Sequence, residues 1–176
     1  YDNNDFAGAL DAYRKYLVLS PADAEILNDT ANCHFQLQDY QNAEEIYHKA
    51  LLANENLNII YRNLGLTKLH LGKPKEALVL LEKYIEIAPE DTDIELAVGT
   101  IYFQMAKYAE AILHLEKYLS AQPKSIEGLF DISECYYHLG YSESAVIGYN
   151  QILRLNPDYQ PAQKRLEEIK TASVPA

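Results

Sequence analysis

The stretch from Asn58 to Asp91 reads NIIYRNLGLTKLHLGKPKEALVLLEKYIEIAPED. Gly72 and Pro74 separate two runs in which apolar residues recur every three or four positions, the spacing that places them on one face of a helix. Glycine often follows the last turn of a helix, and proline is tolerated in the first turn of the next one. The stretch therefore predicts two amphipathic helices joined by a tight turn.

The same pattern returns every 34 residues without an insertion, and an alanine in the second helix marks each copy. The marking alanines are Ala9, Ala43, Ala77, Ala111 and Ala145. We predict an all-α array of antiparallel helix pairs, since each pair needs a neighbour to cover its apolar face. The expected boundaries are the second helix of a truncated repeat in 1–23, full repeats in 24–57, 58–91, 92–125 and 126–159, and a capping helix with a tail in 160–176.

Two kinds of glycine support this reading. Gly72 and Gly140 lie in the turn between paired helices, where a left-handed residue is expected to end the first helix. Gly65 and Gly99 lie in mid-helix, where glycine costs about 1 kcal/mol relative to alanine. We expect this small size to allow a close approach of the paired helix.

Composition narrows the classes of function. The chain has 176 residues, 26 acidic against 15 basic, and a formal net charge of −11. Binding to nucleic acid is not expected, because phosphate contacts need clustered lysine and arginine. Direct membrane insertion is not expected either, since no apolar run approaches the roughly 20 residues of a membrane span. The acidic balance favours a partner that is apolar with basic residues; no targeting segment is recognisable, so a cytoplasmic location is the default.

Catalytic, cofactor and metal sites are not expected. No nucleophile elbow, phosphate loop or dinucleotide glycine pattern is present. Cys33 and Cys135 occupy the same place in their repeats and are expected to be small buried apolar residues, not a disulfide. The histidines fall in different repeats without metal-ligand spacing: His34, His48, His70, His114 and His138.

These features resemble the tetratricopeptide repeat, a 34-residue helical hairpin with the pattern W-x2-L-G-x2-Y, A-x3-F and P. In the repeat from Asn58, the matching residues are Tyr61, Leu64, Gly65, Ala77, Leu81 and Pro89. The departures from the pattern are Glu95 at a bulky place, and His34 and Lys68 at a tyrosine place. The resemblance implies a right-handed superhelical solenoid whose first helices line a concave groove. It also implies an adaptor that binds peptides or helices of partner proteins and is not an enzyme.

If first helices line a groove, one stripe of each is expected to face the partner. Toward the N-terminus this stripe is rich in amides that can bind a peptide backbone, and further on it is apolar with an acidic rim. The amide-rich part comprises Asn28, Asn32, Arg62 and Asn63. The apolar part comprises Leu66, Leu69, Leu96, Thr100, Phe103, Phe130 and Tyr137, edged by Asp131 and Glu134. Alternatively, some of these residues pack against a neighbouring helix.

The leading interpretation of the sequence is an interaction scaffold that binds a peptide or helix of a partner protein. One alternative is the substrate-recruiting arm of a larger enzyme, such as a glycosyltransferase. Another is self-assembly into a homo-oligomer through the helix at Asp5 to Leu19, whose apolar flank is expected to be covered by an upstream helix or by another copy.

Overall fold

A computed structural model describes residues 5–172, and the parts of the predicted boundaries that fall on residues 1–4 and 173–176 lie outside them. The described residues form ten α-helices and no strand. The predicted all-α fold class is thus confirmed. The helices are α1 Phe6–Leu19, α2 Ala24–Gln36, α3 Tyr40–Ala53, α4 Ile59–His70, α5 Pro74–Ile87, α6 Asp93–Gln104, α7 Tyr108–Ala121, α8 Ile126–His138, α9 Ser142–Leu155 and α10 Gln160–Ala172.

The chain divides into two compact units between Pro89 and Glu90. In the N-terminal unit, α2 packs on α3 and α4 packs on α5, while α1 packs on α2 and α3 on α4. In the C-terminal unit, α6 packs on α7 and α8 on α9, while α7 packs on α8 and α9 on α10. Each unit is therefore a stack in which consecutive helices pack on one another.

The core of each unit lies where paired helices meet. The alanine that marks the repeat is fully buried in all four pairs, at Ala43, Ala77, Ala111 and Ala145. Four residues later each second helix buries a large side chain, either tyrosine or leucine. The alternation of a small and a large residue along one face is what lets two helices interdigitate.

The turns between paired helices share one geometry. Gly72 and Gly140 have φ values of 70° and 80°, which confirms the predicted left-handed ends of α4 and α8. Gln38 and Ala106 stand at the same place in the other two pairs and also have positive φ, at 60° and 57°. In each turn the amide after this residue donates to a carbonyl five residues earlier, as Lys73 does to Lys68. This is the Schellman motif, which closes a helix through a left-handed residue.

The mid-helix glycines permit the close approach that was predicted. A Cβ at Gly65 would lie 2.5 Å from Cδ2 of Leu81, and a Cβ at Gly99 would lie 2.7 Å from Cγ of Leu115. Both distances are shorter than van der Waals contact, so the leucine of the second helix occupies the volume that an alanine would need.

Two of the residues that depart from the repeat pattern, Lys68 and Glu95, are buried charges that form ion pairs. Lys68 is only 6% exposed, and its ammonium group lies 2.5 Å from carboxylates of both Glu44 and Glu76. Glu95 is 2% exposed and contacts Nδ1 of His114 at 2.5 Å and Nζ of Lys117 at 3.1 Å. A buried charge is costly unless it is paired, and both of these are paired within their own unit.

Cys33 and Cys135 are buried free thiols, as predicted. Burial raises the pKa of the Cys135 thiol to about 12, so the reactive thiolate is scarce at neutral pH. Among the described residues no helix is both long enough and apolar enough to cross a membrane.

Candidate partner-binding surface

The first helices of the N-terminal unit, α2 and α4, bring three predicted asparagines together. Nδ2 of Asn63 donates to Oδ1 of Asn28 and to Oδ1 of Asn32, both at 3.1 Å. The Tyr47 hydroxyl donates to the same oxygen of Asn32 at 2.5 Å. We call Asn28, Asn32 and Asn63 the amide cluster. Because the Asn32 oxygen already accepts two hydrogen bonds, the N–H donors of this side chain are what it can offer a ligand.

Buried Tyr47 holds the amide cluster in place through its hydrogen bond to Asn32. Burial, followed by the nearby Asp29, raises the pKa of Tyr47, so its hydroxyl stays protonated and acts as a donor. Arg62, another predicted residue, is half-buried and close enough to oppose that shift electrostatically. A buried donor that is aimed at Asn32 holds this amide in one orientation.

In the C-terminal unit the corresponding surface is acidic. Thr100 on α6 donates to Oδ2 of Asp131 on α8 at 2.7 Å. Burial raises the pKa of Asp131; the Thr100 hydrogen bond opposes this shift, while the charges of Glu127 and Glu134 add to it. Asp131 is thus a half-buried carboxylate beside two others, and its ionised form is disfavoured.

Glu134 shows how such a carboxylate is satisfied. Arg165 on α10 donates two hydrogen bonds to Glu134, from Nε at 2.8 Å and from Nη2 at 2.7 Å. The Tyr149 hydroxyl donates to Glu134 at 2.6 Å, and the Arg165 guanidinium lies 4.8 Å from the ring centre of Tyr137. A planar guanidinium that binds a carboxylate at its edge and a ring at its face is a favourable arginine site.

A regular set of contacts joins neighbouring first helices. In three of the four full repeats, the side chain at place nine, counted from the start of the repeat, bonds to the side chain 31 residues on, which is place six of the next first helix. We call these contacts the cross-helix ladder. Its described rungs are Asn32 with Asn63, Thr100 with Asp131, and Glu134 with Arg165.

The predicted aromatic residues lie partly in the core. Phe103 is half-buried, and its ring centre lies 5.7 Å from that of Tyr108 and 6.0 Å from that of His138. Phe130 is half-buried between Tyr149 and Tyr159, at 6.1 and 5.6 Å. Both side chains therefore support packing as well as lining the surface.

The remaining apolar candidates are partly accessible. Leu66 and Leu69 are half-buried in the N-terminal unit, and Leu96 is half-buried in the C-terminal unit, where it packs against the core beside Phe103. Sequence reasoning missed the side chains that organise the surface from outside it, namely Tyr47, Tyr149 and Arg165. The signal for Arg165 was its repeat place, which equals that of Asn63 and Asp131.

The arrangement supports hydrogen bonding and the binding of cations. Within residues 5–172 no three histidine, cysteine or acidic side chains are grouped so that they could hold a metal ion. The amide cluster presents donors, and the acidic group around Asp131 presents a negative field at neutral pH.

Comparisons with known proteins place this geometry in a family. Family models of the tetratricopeptide repeat match residues 22–90, 96–125 and 126–159. Among solved structures, YrrB, described as a TPR protein with an unusual peptide-binding site, is 22% identical with a TM-score of 0.84, over 93% of this chain and 84% of YrrB. MamA from Desulfovibrio magneticus RS-1 is 20% identical with a TM-score of 0.78, over 88% of this chain and 87% of that one.

Two curated relatives match a shorter part of the chain. The BBSome complex member BBS4 of Bos taurus is 28% identical over 97 residues, which are 55% of this chain, and that of Mus musculus is 28% identical over 96 residues. The match spans only 18% of the length of either relative. The family models together cover most of the chain. It therefore belongs to the tetratricopeptide repeat family, whose helix-pair fold is that of protein-interaction scaffolds.

Proposed function

We propose that this chain is a scaffold that binds a segment of a partner protein carrying basic residues, and that Asp131 receives one of them. The observation that carries the proposal is the half-buried Asp131 carboxylate, whose pKa is raised by burial and by its acidic neighbours. Two repeats earlier the same place holds Asn63, so a neutral side chain fits the fold.

A neighbouring carboxylate in the same unit already binds a basic side chain. Glu134, one rung further along the surface, is satisfied by Arg165 through two hydrogen bonds. An arginine or lysine of a partner would give Asp131 the same compensation and would stabilise its ionised form. Affinity for a basic segment should therefore fall as the pH drops through the raised pKa of Asp131.

The amide cluster would hold the backbone of the same kind of segment. Asn32 offers N–H donors to peptide carbonyl groups whatever the side chains are, since its own oxygen is occupied by Tyr47 and Asn63. The peptide-binding site that is reported for YrrB supports peptide binding by this fold. The relatives named as members of the BBSome complex support a role in a protein assembly. We propose no catalytic step, in keeping with a family of scaffolds.

The experiment is peptide selection at low salt on the immobilised chain and on its Asp131→Asn variant. A phage-displayed peptide library is the probe. We expect peptides enriched by the parent chain to carry arginine or lysine at a fixed position, and this enrichment should be lost with Asp131→Asn.

Asp158→Asn is the matched control, because Asp158 is an exposed carboxylate on the turn before α10 and the substitution removes the same charge. Equal enrichment by the parent and Asp131→Asn would contradict the proposal. Loss of enrichment in both variants would mean that net charge, not Asp131, attracts the peptide.

A further inference from the structure

The second helices α1 and α3 form the walls of a groove whose floor is α2, and we call it the α2 groove. Its volume is about 380 Å³, near the lower end of the roughly 300–1,000 Å³ of pockets that hold small ligands. Its apolar lining comprises Leu10, Leu17, Val18 and Ile46. Leu17 and Ile46 also pack on the core of the N-terminal unit, so the groove has an apolar, fixed base.

Two side chains of α2 keep the α2 groove open. His34 stands at place eleven of its repeat, where the last two full repeats have tyrosine. Its Nδ1 lies 2.9 Å from Asp39 in the turn before α3. Thr30 donates to the carbonyl of Ile26 in its own helix at 2.6 Å. Thr30 stands at place seven, where the later full repeats have larger apolar side chains, namely Leu64, Val98 and Ile132.

In other repeats the place-eleven side chain bonds to the preceding second helix. Tyr136 on α8 packs against the core of the C-terminal unit and donates to Glu116 on α7 at 3.3 Å. Lys68 on α4 is buried and ion-paired with Glu44 on α3. The corresponding space in these repeats is therefore occupied by a long side chain whose polar end meets the preceding second helix.

Arg14 reverses the charge that such a side chain would meet. It stands 20 residues before His34, as Glu116 stands 20 residues before Tyr136. Because a cation replaces the carboxylate, the α2 groove suits a ring that is accompanied by negative charge, not one that ends in a hydroxyl donor.

The positive charge of Arg14 is available to a ligand. Its side chain lines the α2 groove, is exposed, and makes no hydrogen bond or ion pair within residues 5–172. Asp11, the nearest acid along α1, is already paired with Lys15 at 2.6 Å. The hydrogen bond and the charge of Lys15 lower the pKa of Asp11 more than Arg14 does. The α2 groove thus places an unpaired cation beside an apolar wall.

We propose that the α2 groove binds a segment of a partner protein in which an aromatic side chain lies between acidic residues. The ring would occupy the place that the ring of Tyr136 has in the C-terminal unit, and a flanking carboxylate would pair with Arg14. This site lies in the N-terminal unit and selects acidic residues, so it is independent of the basic segment proposed for Asp131.

The probe is a heptapeptide with one phenylalanine between two glutamates in a glycine and serine background. One matched peptide has alanine in place of phenylalanine, and another has lysine in place of both glutamates. Binding is followed by NMR of the methyl groups of Leu10, Leu17, Val18 and Ile46. The titration uses about 0.15 M salt, which screens repulsion from the distant acidic residues of the chain.

We expect the phenylalanine peptide to shift these methyl signals and to bind about tenfold more tightly than the alanine peptide, as expected for one partly buried ring. It should bind about fivefold more tightly than the lysine peptide, because an exposed ion pair contributes up to about that factor. Asp131→Asn should leave both preferences unchanged, so failure here is separate from failure of the basic-segment proposal.

His34→Tyr gives α2 the residue that α8 has at place eleven, so it should fill the α2 groove and weaken binding about tenfold. The melting temperature of this variant should stay within a few degrees of the parent value, because the added ring packs as Tyr136 does. Arg14→Gln should weaken binding about two- to fivefold. Lys15→Gln removes an equal charge from the next residue and is the matched control, with no expected effect.

Methyl shifts that persist in His34→Tyr, equal affinities for the phenylalanine and alanine peptides, or no shift at millimolar peptide would each overturn the proposal. Equal losses in Arg14→Gln and Lys15→Gln would overturn it as well, since general charge would then attract the peptide. The titration is repeated on a chain without residues 1–4. Tighter binding after this removal would assign the α2 groove to the first residues of the chain and not to a partner.

Discussion

At the scale of single residues, Asp131 and Asn63 solve the same structural problem differently. Both stand at place six of a first helix and bond to a place-nine side chain of the preceding first helix. Asn63 does so as a neutral donor, whereas Asp131 accepts and carries a charge that burial disfavours. Aspartate at this place therefore stabilises the fold less than asparagine does. Such a loss of stability is typical of residues that serve binding.

Replacing Asp131 by asparagine should stabilise the fold at pH 7 by about 1 kcal/mol, the usual size of one favourable substitution. A carboxyl whose pKa is raised on folding contributes stability below its unfolded pKa, and that stability is lost as the pH rises through the folded value. The gain from Asp131→Asn should thus be present at pH 7 and vanish in acid, as measured by urea unfolding. An equal gain at both pH values would argue against a titrating origin.

Gly65 offers a test of close packing. Gly65→Ala adds a methyl group at 2.5 Å from Leu81, so overpacking should exceed the helix-propensity gain and cost about 1–2 kcal/mol. The triple variant Gly65→Ala, Leu66→Asn, Leu81→Tyr copies the contact of Tyr47 with Ala31 and Asn32 and should recover part of this loss. Thermal unfolding of the two variants measures the recovery. A Gly65→Ala variant as stable as the parent would mean that the helices separate easily.

At the scale of elements, the turns show what residue type alone does not reveal. The glycines at 72 and 140 predicted left-handed turns, but Gln38 and Ala106 adopt the same conformation without that signal. The repeat register forces it, because the paired helices must reverse direction over the same number of residues. A non-glycine residue in this region is strained by roughly 1–2 kcal/mol.

Gln38→Gly and Ala106→Gly should each stabilise the fold by about 0.5–1 kcal/mol, since relief of strain exceeds the added entropy of glycine in the unfolded chain. Gly72→Ala is the converse control and should destabilise by a similar amount. Denaturant midpoints report all three changes. A loss of stability with both glycine substitutions would show that the left-handed turns are not strained.

The last helix, which was predicted as a cap, makes a contact that the sequence pattern did not indicate. Arg165 reaches back to Glu134 and stacks on Tyr137. Hydrophobic periodicity fixes which face a residue lies on, but not whether a long side chain crosses to a neighbouring helix. For the same reason Phe103 and Phe130 were predicted on the partner surface without the aromatic contacts that half-bury them.

Arg165→Met should destabilise the C-terminal unit by about 2 kcal/mol, because Glu134 would remain 5% exposed without its cation. Hydrogen exchange should rise first in α10. The double variant Glu134→Gln, Arg165→Met should recover most of the loss, since no buried charge is then unpaired. Lys164→Met, at a side chain 77% exposed, is the control and should have little effect. Equal exchange in α10 of parent and Arg165→Met would contradict an anchoring role.

At the scale of the whole molecule, the acidic chain should have a broad plateau of stability. Burial alone would raise the pKa values of Glu44 and Glu134. Hydrogen bonds from Lys68 and Lys73 outweigh it and lower the pKa of Glu44, and hydrogen bonds from Arg165 and Tyr149 likewise lower the pKa of Glu134. Such carboxylates stabilise the fold above their unfolded pKa, and the contribution disappears as the pH falls through the folded values.

The melting temperature should therefore be nearly constant around neutral pH and fall below about pH 4.5. A series of thermal scans from pH 7 to pH 3 measures this. Glu44→Gln should lower the plateau and flatten the acid limb. A chain that becomes more stable on acidification would show that repulsion among its negative charges outweighs these ion pairs.

The cross-helix ladder affects the heat and the salt dependence of partner binding. Because Asn63 already occupies the Asn32 oxygen, an arriving peptide only takes the place of solvent at the Asn32 N–H groups, so the amide cluster should contribute little heat and little salt dependence. At Asp131 the arriving cation relieves an unfavourable charge, and the gain should weaken steeply with ionic strength. The two units would thus have different tasks: the amides of the N-terminal unit would bind a peptide backbone whatever its sequence, and the carboxylate of the C-terminal unit would select for a basic residue.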